Sequence, residues 1–337
     1  MPDWPFEPGA DPLQRDVPLR HVVELPVLGV RVRFECNAAH AAHLVEAAYG
    51  WWRPLLAAPD WISAAQVRIR VAVCAGAEIV CPSPRLISRM PDNEHLLIHS
   101  AGSLALADTP RAEGVLYVTA DLLDAGEPFV AGVLDAVTLM LVTRFDRVPV
   151  HAAMVVRGGG ALLLASAGGV GKSTLAYVAH RAGYHVPADD TAYVQLDPQL
   201  RVWGAARVLR VPPSGSRWFA ELGGLEAGIG ADGDEKVTVP IRDGPNAPSA
   251  EPVVGRVAVC QLRRVGSRAA LEREEPEVLA GVLSAGLDPG FDRFRDQMPE
   301  VARRLCARGG WRLSLPPDPR DALPYIDEML SELEDQP

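Results

Sequence analysis

Cysteine is scarce: Cys36, Cys74, Cys81, Cys260 and Cys306 are the five in 337 residues. Their number is odd, they are scattered, and none forms a C-x-x-C pair. This argues against a disulfide framework or a zinc site and for reduced thiols. Long apolar runs are also missing. The longest candidate, Phe129 to Val142, is broken by Gly132 and Asp135 and falls short of the roughly 20 residues that a spanning helix needs. Positive charge is in deficit, with 33 Lys and Arg against 43 Asp and Glu and a net charge of −10. That disfavours non-specific nucleic-acid binding but leaves room for a local basic groove. The opening MPDWPFEPGADPLQRD is acidic and proline-rich. It lacks the basic n-region and apolar h-region of a secretory signal, so the expected compartment is the cytoplasm, with no membrane partner. Residues 1 to about 18 read as a flexible lead-in.

What is present is an apolar fraction of 48%, enough for ordinary cores, on a chain whose length suggests two domains. The first, residues 1–145, reads as a smaller α/β domain without a motif to state its role. His21 to Phe34 suggests two strands around Pro26 and Gly29. Asn37 is expected to cap a helix from Ala38 to Leu56, and strands are expected at 67–73, 96–99 and 115–118. Phe129 to Phe145 reads as a buried helix. Trp51 and Trp52 read as packing rather than a stacking platform. His40, His43, His95 and His99 lack the carboxylate or Cys partners of a metal pattern.

Residues 146–337 hold the stretch that organises the chain, GGGALLLASAGGVGKSTLAYVAHRAGYHVPADDTAYVQL from Gly158 to Leu196. A strand at 150–156 and a glycine turn lead into a second strand at 161–165, the reverse side of a hairpin. Ser166-Ala167-Gly168-Gly169-Val170-Gly171 follows, then Lys172-Ser173-Thr174 and a helix. Strand, glycine loop, Lys-Ser and helix N-terminus form a phosphate cradle, in which backbone N–H groups and the helix dipole attract anionic oxygens. Residues 167–174 are the nucleotide-binding candidates: Lys172 reaches the β- and γ-phosphates, and Ser173 holds Mg²⁺. Ser166 stands where the G-x-x-x-x-G-K-[ST] pattern has its first glycine.

Asp189-Asp190 ends the next strand, seventeen positions after Lys172 for the first of the pair. One carboxylate can face a metal while the other accepts a proton from an attacking hydroxyl. His151 starts the strand paired with the one that feeds the loop; that position could bring its imidazole toward Asp189, and a strand-end histidine without a role is the alternative. Arg207 and Arg210, on a strand read from Val202 to Val211, are candidates for stabilising a transferred phosphoryl group. Residues 212–235 suit a flexible lid or substrate loop. Strands are expected at 236–241, 257–262 and 311–315. Glu272 to Glu275 reads as a solvated helix start before Pro276, with helices at 278–287, 297–307 and 321–333.

The run His151-Ala152, SAGGVGKS, Ala182-Gly183-Tyr184-His185 and Ala188-Asp189-Asp190 resembles the catalytic domain of bacterial HPr kinase/phosphorylase and its looser relatives. The likeness is specific over about 151–196, looser to 315, and absent before 145. Gly168 replaces the loop serine of that family, and Thr174 stands where its true HPr kinases carry Glu. The resemblance implies an α/β fold with a mixed sheet in the catalytic domain, ATP and Mg²⁺ as cofactors, and a kinase acting on a hydroxyl, a serine of a small protein or peptide. It implies phosphate and Mg²⁺ binding by Lys172 and Ser173, Asp189 as general base, Asp190 as metal ligand, and His151 as the assistant of Asp189. A nucleotide-dependent switch without an acceptor, a small-molecule kinase, and homo-oligomer formation stay open.

Overall fold

The structure is a computed structural model that describes residues 17–74, 87–100, 102–166, 169–229, 234–264, 268–285 and 292–335. The acidic lead-in, Cys81, Ala167 and Gly168 lie outside the described residues. Two compact units divide the chain, Met1–Phe145 and Asp146–Pro337. Both are mixed α/β. Among the described residues no helix is long and apolar enough to cross a membrane.

The first unit carries β1 (His21–Val27), β2 (Val30–Cys36), β3 (Gln66–Cys74), β4 (Ile87–Arg89), β5 (His95–Ser100), β6 (Ser103–Asp108) and β7 (Glu113–Thr119). They form one sheet in the order β1-β2-β3-β7-β6-β5-β4. Alternation decides its faces: Val32, Phe34, Ile69 and Leu116 are buried, while Arg31 and Arg68 point to solvent, as the two-residue period of a strand requires. The helices are α1 (Ala39–Tyr49), α2 (Ala120–Asp124), α3 (Glu127–Phe129) and α4 (Asp135–Val142), with a π-turn at Val130–Leu134 that makes 127–142 one helical run. Asn37 does not cap α1. Its Nδ2 donates to Val73 O at 3.0 Å and its Oδ1 accepts from Val73 N at 2.8 Å, so it closes the end of β3 instead. The expected long helix stops at Tyr49, where Gly50 and Pro54 turn the chain into a 3₁₀ segment. Trp52 is buried, matching its reading as packing.

The second unit is built on β8 (Val148–Arg157), β9 (Gly160–Ala165), β10 (His185–Ala188), β11 (Thr191–Gln195), β12 (Arg201–Gly204), β16 (Val253–Val254), β17 (Val257–Arg263), β18 (Ala270–Glu274) and β19 (Gly310–Ser314). The order is β16-β12-β11-β8-β9-β17-β19-β18, and β10 also pairs with β8. A three-stranded sheet, β13 (Val208–Val211), β15 (Glu235–Pro240) and β14 (Ala227–Ile229), stands apart from it. The helices are α5 (Lys172–Arg181), α6 (Pro276–Ala285), α7 (Met298–Cys306) and α8 (Leu323–Glu334).

Both faces of the large sheet are covered, so its central strands are buried throughout rather than alternating in polarity. Leu162 and Leu164 of β9 pack with Leu175 and Val178 of α5 and with Ile326 and Met329 of α8. Ala161, Leu163 and Ala165 of the same strand face Leu279 of α6 and Val301 and Leu305 of α7. Each large apolar side chain buried this way contributes about 1.5–3 kcal/mol.

Two expectations fail here. The run 202–211 is not one strand: Gly204-Ala205-Ala206 carries the chain from β12 in the large sheet to β13 in the small one. Glu272 to Glu274 is strand, not helix start, because β18 pairs with β19 and each charge finds a cross-strand partner. Arg312 bonds Glu272, and the Arg273 guanidinium lies 4.6 Å from the centre of the Trp311 ring. The helix begins at Pro276, where proline's missing N–H costs nothing.

Candidate functional site

The β8–β9 hairpin aims both of its open ends at one place. Ala152 pairs with Ala165, so His151 lies one residue beyond the pair and Ser166 leaves the sheet beside it. Gly169 and Gly171 then adopt φ of +76° and +124°, backbone that L side chains avoid, and α5 starts at Lys172. Arg264 Nη2 donates to Val170 O at 3.1 Å and braces the turn from outside. The first-turn N–H groups of α5 face the turn without intrahelical partners, as at any helix N-terminus.

Lys172 is buried at the helix start. Its Nζ lies 2.7 Å from His151 Nε2 and 3.1 Å from Ser166 O. An imidazole that accepts the ammonium proton at Nε2 carries its own proton on Nδ1. That nitrogen is 3.5 Å from Asp190 Oδ1. The chain Lys172–His151–Asp190 therefore joins the turn to the carboxylates.

Asp189 and Asp190 fall between β10 and β11, both of which run antiparallel to β8 along its other edge. The ladder is interrupted there: Ala188 pairs with Met154, Thr191 with His151, and the two aspartates between them with neither. In the sheet, β8 separates these carboxylates from β9, although the strands follow one another in sequence. The interruption sends the neighbours to different surroundings. The Asp190 side chain is 63% exposed, whereas Asp189 as a residue is 8% exposed. Asp189 Oδ2 accepts the backbone N–H of Arg210 at 2.7 Å. Its Oδ1 is buried without a donor. Burial pushes the Asp189 carboxyl up to about 6 and the Asp190 charge adds to this, while the Arg210 N–H and the Ser173 hydroxyl pull it down.

These groups open on a cleft of about 610 Å³. One wall is the turn and helix start, with Gly169, Gly171, Lys172, Ser173 and Thr174. His151 and Asp190 line it too, whereas Asp189 does not. Ser214, Arg217, Trp218 and Lys236 also line it, with the Arg217 guanidinium 3.7 Å over the Trp218 ring. Leu315, Pro316 and Pro317, past the end of β19, add apolar lining, Leu315 close against Gly171 of the turn.

Of the sequence candidates, Lys172, Ser173, Thr174, Gly169, Gly171, His151 and Asp190 come together on this cleft. Val170 joins through its carbonyl, which Arg264 of the lining holds, whereas Asp189 is not among the lining residues. Arg210 is tied to the site by its backbone; its exposed side chain is not part of the cleft wall. The wall's cations are Arg217, Arg264 and Lys236 instead. A signal for Lys236 was present in the sequence. Of the 33 Lys and Arg in the chain, lysine occurs at 172 and 236 alone, and both line the cleft. No titratable cluster of metal-holding composition occurs among the described residues by side-chain grouping alone.

No protein-family model and no curated protein matches the chain. Among solved structures, the HPr(Ser) kinase/phosphatase from Coxiella burnetii matches with 13% sequence identity over 55% of this chain and 93% of that chain, at a TM-score of 0.27. This is a distant structural resemblance, and the chemistry of the site rests on its own geometry.

Proposed function

We propose that the cleft binds a nucleoside triphosphate, ATP, through residues 167–174 and transfers its γ-phosphoryl group to a hydroxyl. The observation that carries this reading is the meeting of Lys172, at a glycine turn and a helix N-terminus, with His151 and Asp190 on one cleft, Asp189 being the chain neighbour of that carboxylate. The turn and helix start present N–H groups to anionic oxygens, and Lys172 leaves its resting partners His151 and Ser166 to meet the β- and γ-phosphates. Lys236 and Arg217 line the same cleft as further cations for developing charge. The apolar side at Leu315 to Pro317 suits a base and excludes water from it.

A divalent cation fits the chemistry of the donor set, because Ser173 and Asp190 supply hard oxygens on the cleft and Asp189 Oδ1 is buried without a hydrogen-bond partner next to them in the chain. Ser173 and one aspartate of the pair would hold it, and Mg²⁺ bound there would supply charge neutralisation on the phosphates. One carboxylate remains to take the hydroxyl proton. The acceptor class, a serine of a small protein or peptide, rests on the sequence resemblance of residues 151–196.

The test is label transfer from γ-labelled ATP to candidate small proteins and peptides, with the modified atom located by mass spectrometry. Lys172→Ala should lower transfer on the order of a hundredfold. Labelling that survives Lys172→Ala unchanged, or none by the wild type with any candidate hydroxyl, would count against the reading.

A further inference from the structure

We infer that the acidic lead-in, residues 1–16, docks on the open face of the sheet in the first unit and lays Trp4 and Phe6 on its apolar half. The inference concerns the first unit alone and is independent of the phosphotransfer reading.

The helices of this unit pack on one face of the sheet, α1 on β1 and β2, and α4 on β3, β6 and β7. A Cβ at Gly114 of β7 would meet Val137 of α4 at 2.8 Å, which fixes the covered side. Neighbours along a strand alternate, so Val115 and Tyr117 point to the other side. Leu104 and Leu106 of β6 stand opposite Tyr117 and Val115, and His99 and Leu97 of β5 continue the same rows. Ile87 of β4 stands opposite His99. Leu104 is 42% exposed, Leu106 40% and Ile87 38%. They make a contiguous apolar patch where an open sheet face is normally polar.

The other half of the face is basic. Arg31, Arg33, Arg68 and Arg70 of β2 and β3 stand on it, with Glu35 of β2 and Glu24 of β1. Arg33 and Arg68 hold the Glu35 carboxylate at 2.8 and 2.7 Å. The four cations outnumber these two carboxylates. A second copy would present the same excess of positive charge, so charge selects an acidic occupant instead.

The lead-in has that character and the necessary reach. It carries Asp3, Glu7, Asp11 and Asp16 against Arg15, with Trp4, Phe6 and Leu13 as apolar groups. The chain enters β1 at His21. Val22 then begins a cross-strand row that runs through Glu35, Arg70, Val115, Leu106 and Leu97. Strands lie about 4.8 Å apart, so β6 is roughly 19 Å from β1 along that row. Phe6 precedes His21 by fifteen residues. Extended proline-rich chain covers about 3.1 Å per residue, more than twice the span needed. Asp11 and Asp16, between Phe6 and β1 in the chain, then meet the arginines of β2 and β3 on the way. Tethering holds the segment near its seat at an effective concentration on the order of millimolar, so a few contacts suffice.

The experiment uses the full chain with a benzophenone photo-crosslinker in place of Phe6 and maps the products by mass spectrometry. Crosslinks should fall within the same chain, at Leu97, Leu104, Leu106 or Tyr117. Mixing isotope-labelled with unlabelled chains separates products within a chain from those between chains. Leu106→Asp, at an exposed position that leaves the covered face intact, should lower the yield at least about tenfold, since the apolar seat becomes charged. Asp11→Lys combined with Asp16→Lys alters the lead-in alone and should lower the yield about threefold at low salt. Products between chains would give the face to a second copy and overturn the inference. Crosslinks confined to another surface, no crosslink at all, or a yield that Leu106→Asp leaves unchanged would overturn it as well.

Discussion

Asp189 is held in the folded chain at a cost. Desolvation is the main reason that its carboxyl is pushed up to about 6 from 3.8, with the neighbouring Asp190 charge adding to it. A folded-state value above the unfolded one means that its contribution to stability is present in full below pH 3.8 and is lost as pH rises through about 6. In metal-free buffer the wild type should therefore lose stability across that window. Asp189→Asn keeps an acceptor for the Arg210 N–H and has no proton to lose. It should lack this slope and be more stable than the wild type at pH 7 by up to about 3 kcal/mol. Urea titrations between pH 4 and 8 with chelator read this directly; a variant less stable than the wild type at pH 7 would contradict it. The sequence places Asp189 and Asp190 side by side, and strand alternation separates their directions. Which of them is buried was not legible, because the pair sits where the ladder of β8 changes partner from β10 to β11. The two lysines, by contrast, were countable in advance.

At the scale of elements, the site depends on a close approach of two strands that share no ladder. A Cβ at Gly204, the last residue of β12, would meet Pro187 O of β10 at 2.2 Å. That atom is backbone, so the strand itself has to move. Ala206 N also donates to Pro187 O at 2.9 Å. Gly204→Ala should therefore destabilise the chain by about 1–3 kcal/mol and lower transfer, since Pro187 precedes Asp189 by two residues. Gly281→Ala, in α6 with open space around its would-be Cβ, should raise stability by about 0.5–1 kcal/mol. Thermal melts of both check the pair of expectations, and a harmless Gly204→Ala would sink the packing argument. Elements set by local periodicity or by punctuation, such as β8, β9, α5 and α7, were legible in the sequence. Those set by distant partners were not. β18 becomes strand because Trp311 and Arg312 arrive some forty residues later, and Asn37 leaves its helix for Val73.

On the scale of the whole molecule, two mixed α/β units account for the chain, and the cleft with both lysines belongs to the second. A protein with a net charge of −10 that is to bind a polyanion must concentrate its cations where the phosphates go. Lys172, Lys236, Arg217 and Arg264 do so. The central claim is that this cleft is a Mg²⁺–nucleotide site, and calorimetric titration of the full chain with ATP and Mg²⁺ tests it most directly. The account predicts saturable binding at one site, weakened by at least about tenfold in Lys172→Ala. Absence of binding by the wild type, or an affinity unchanged by loss of Lys172, would contradict it.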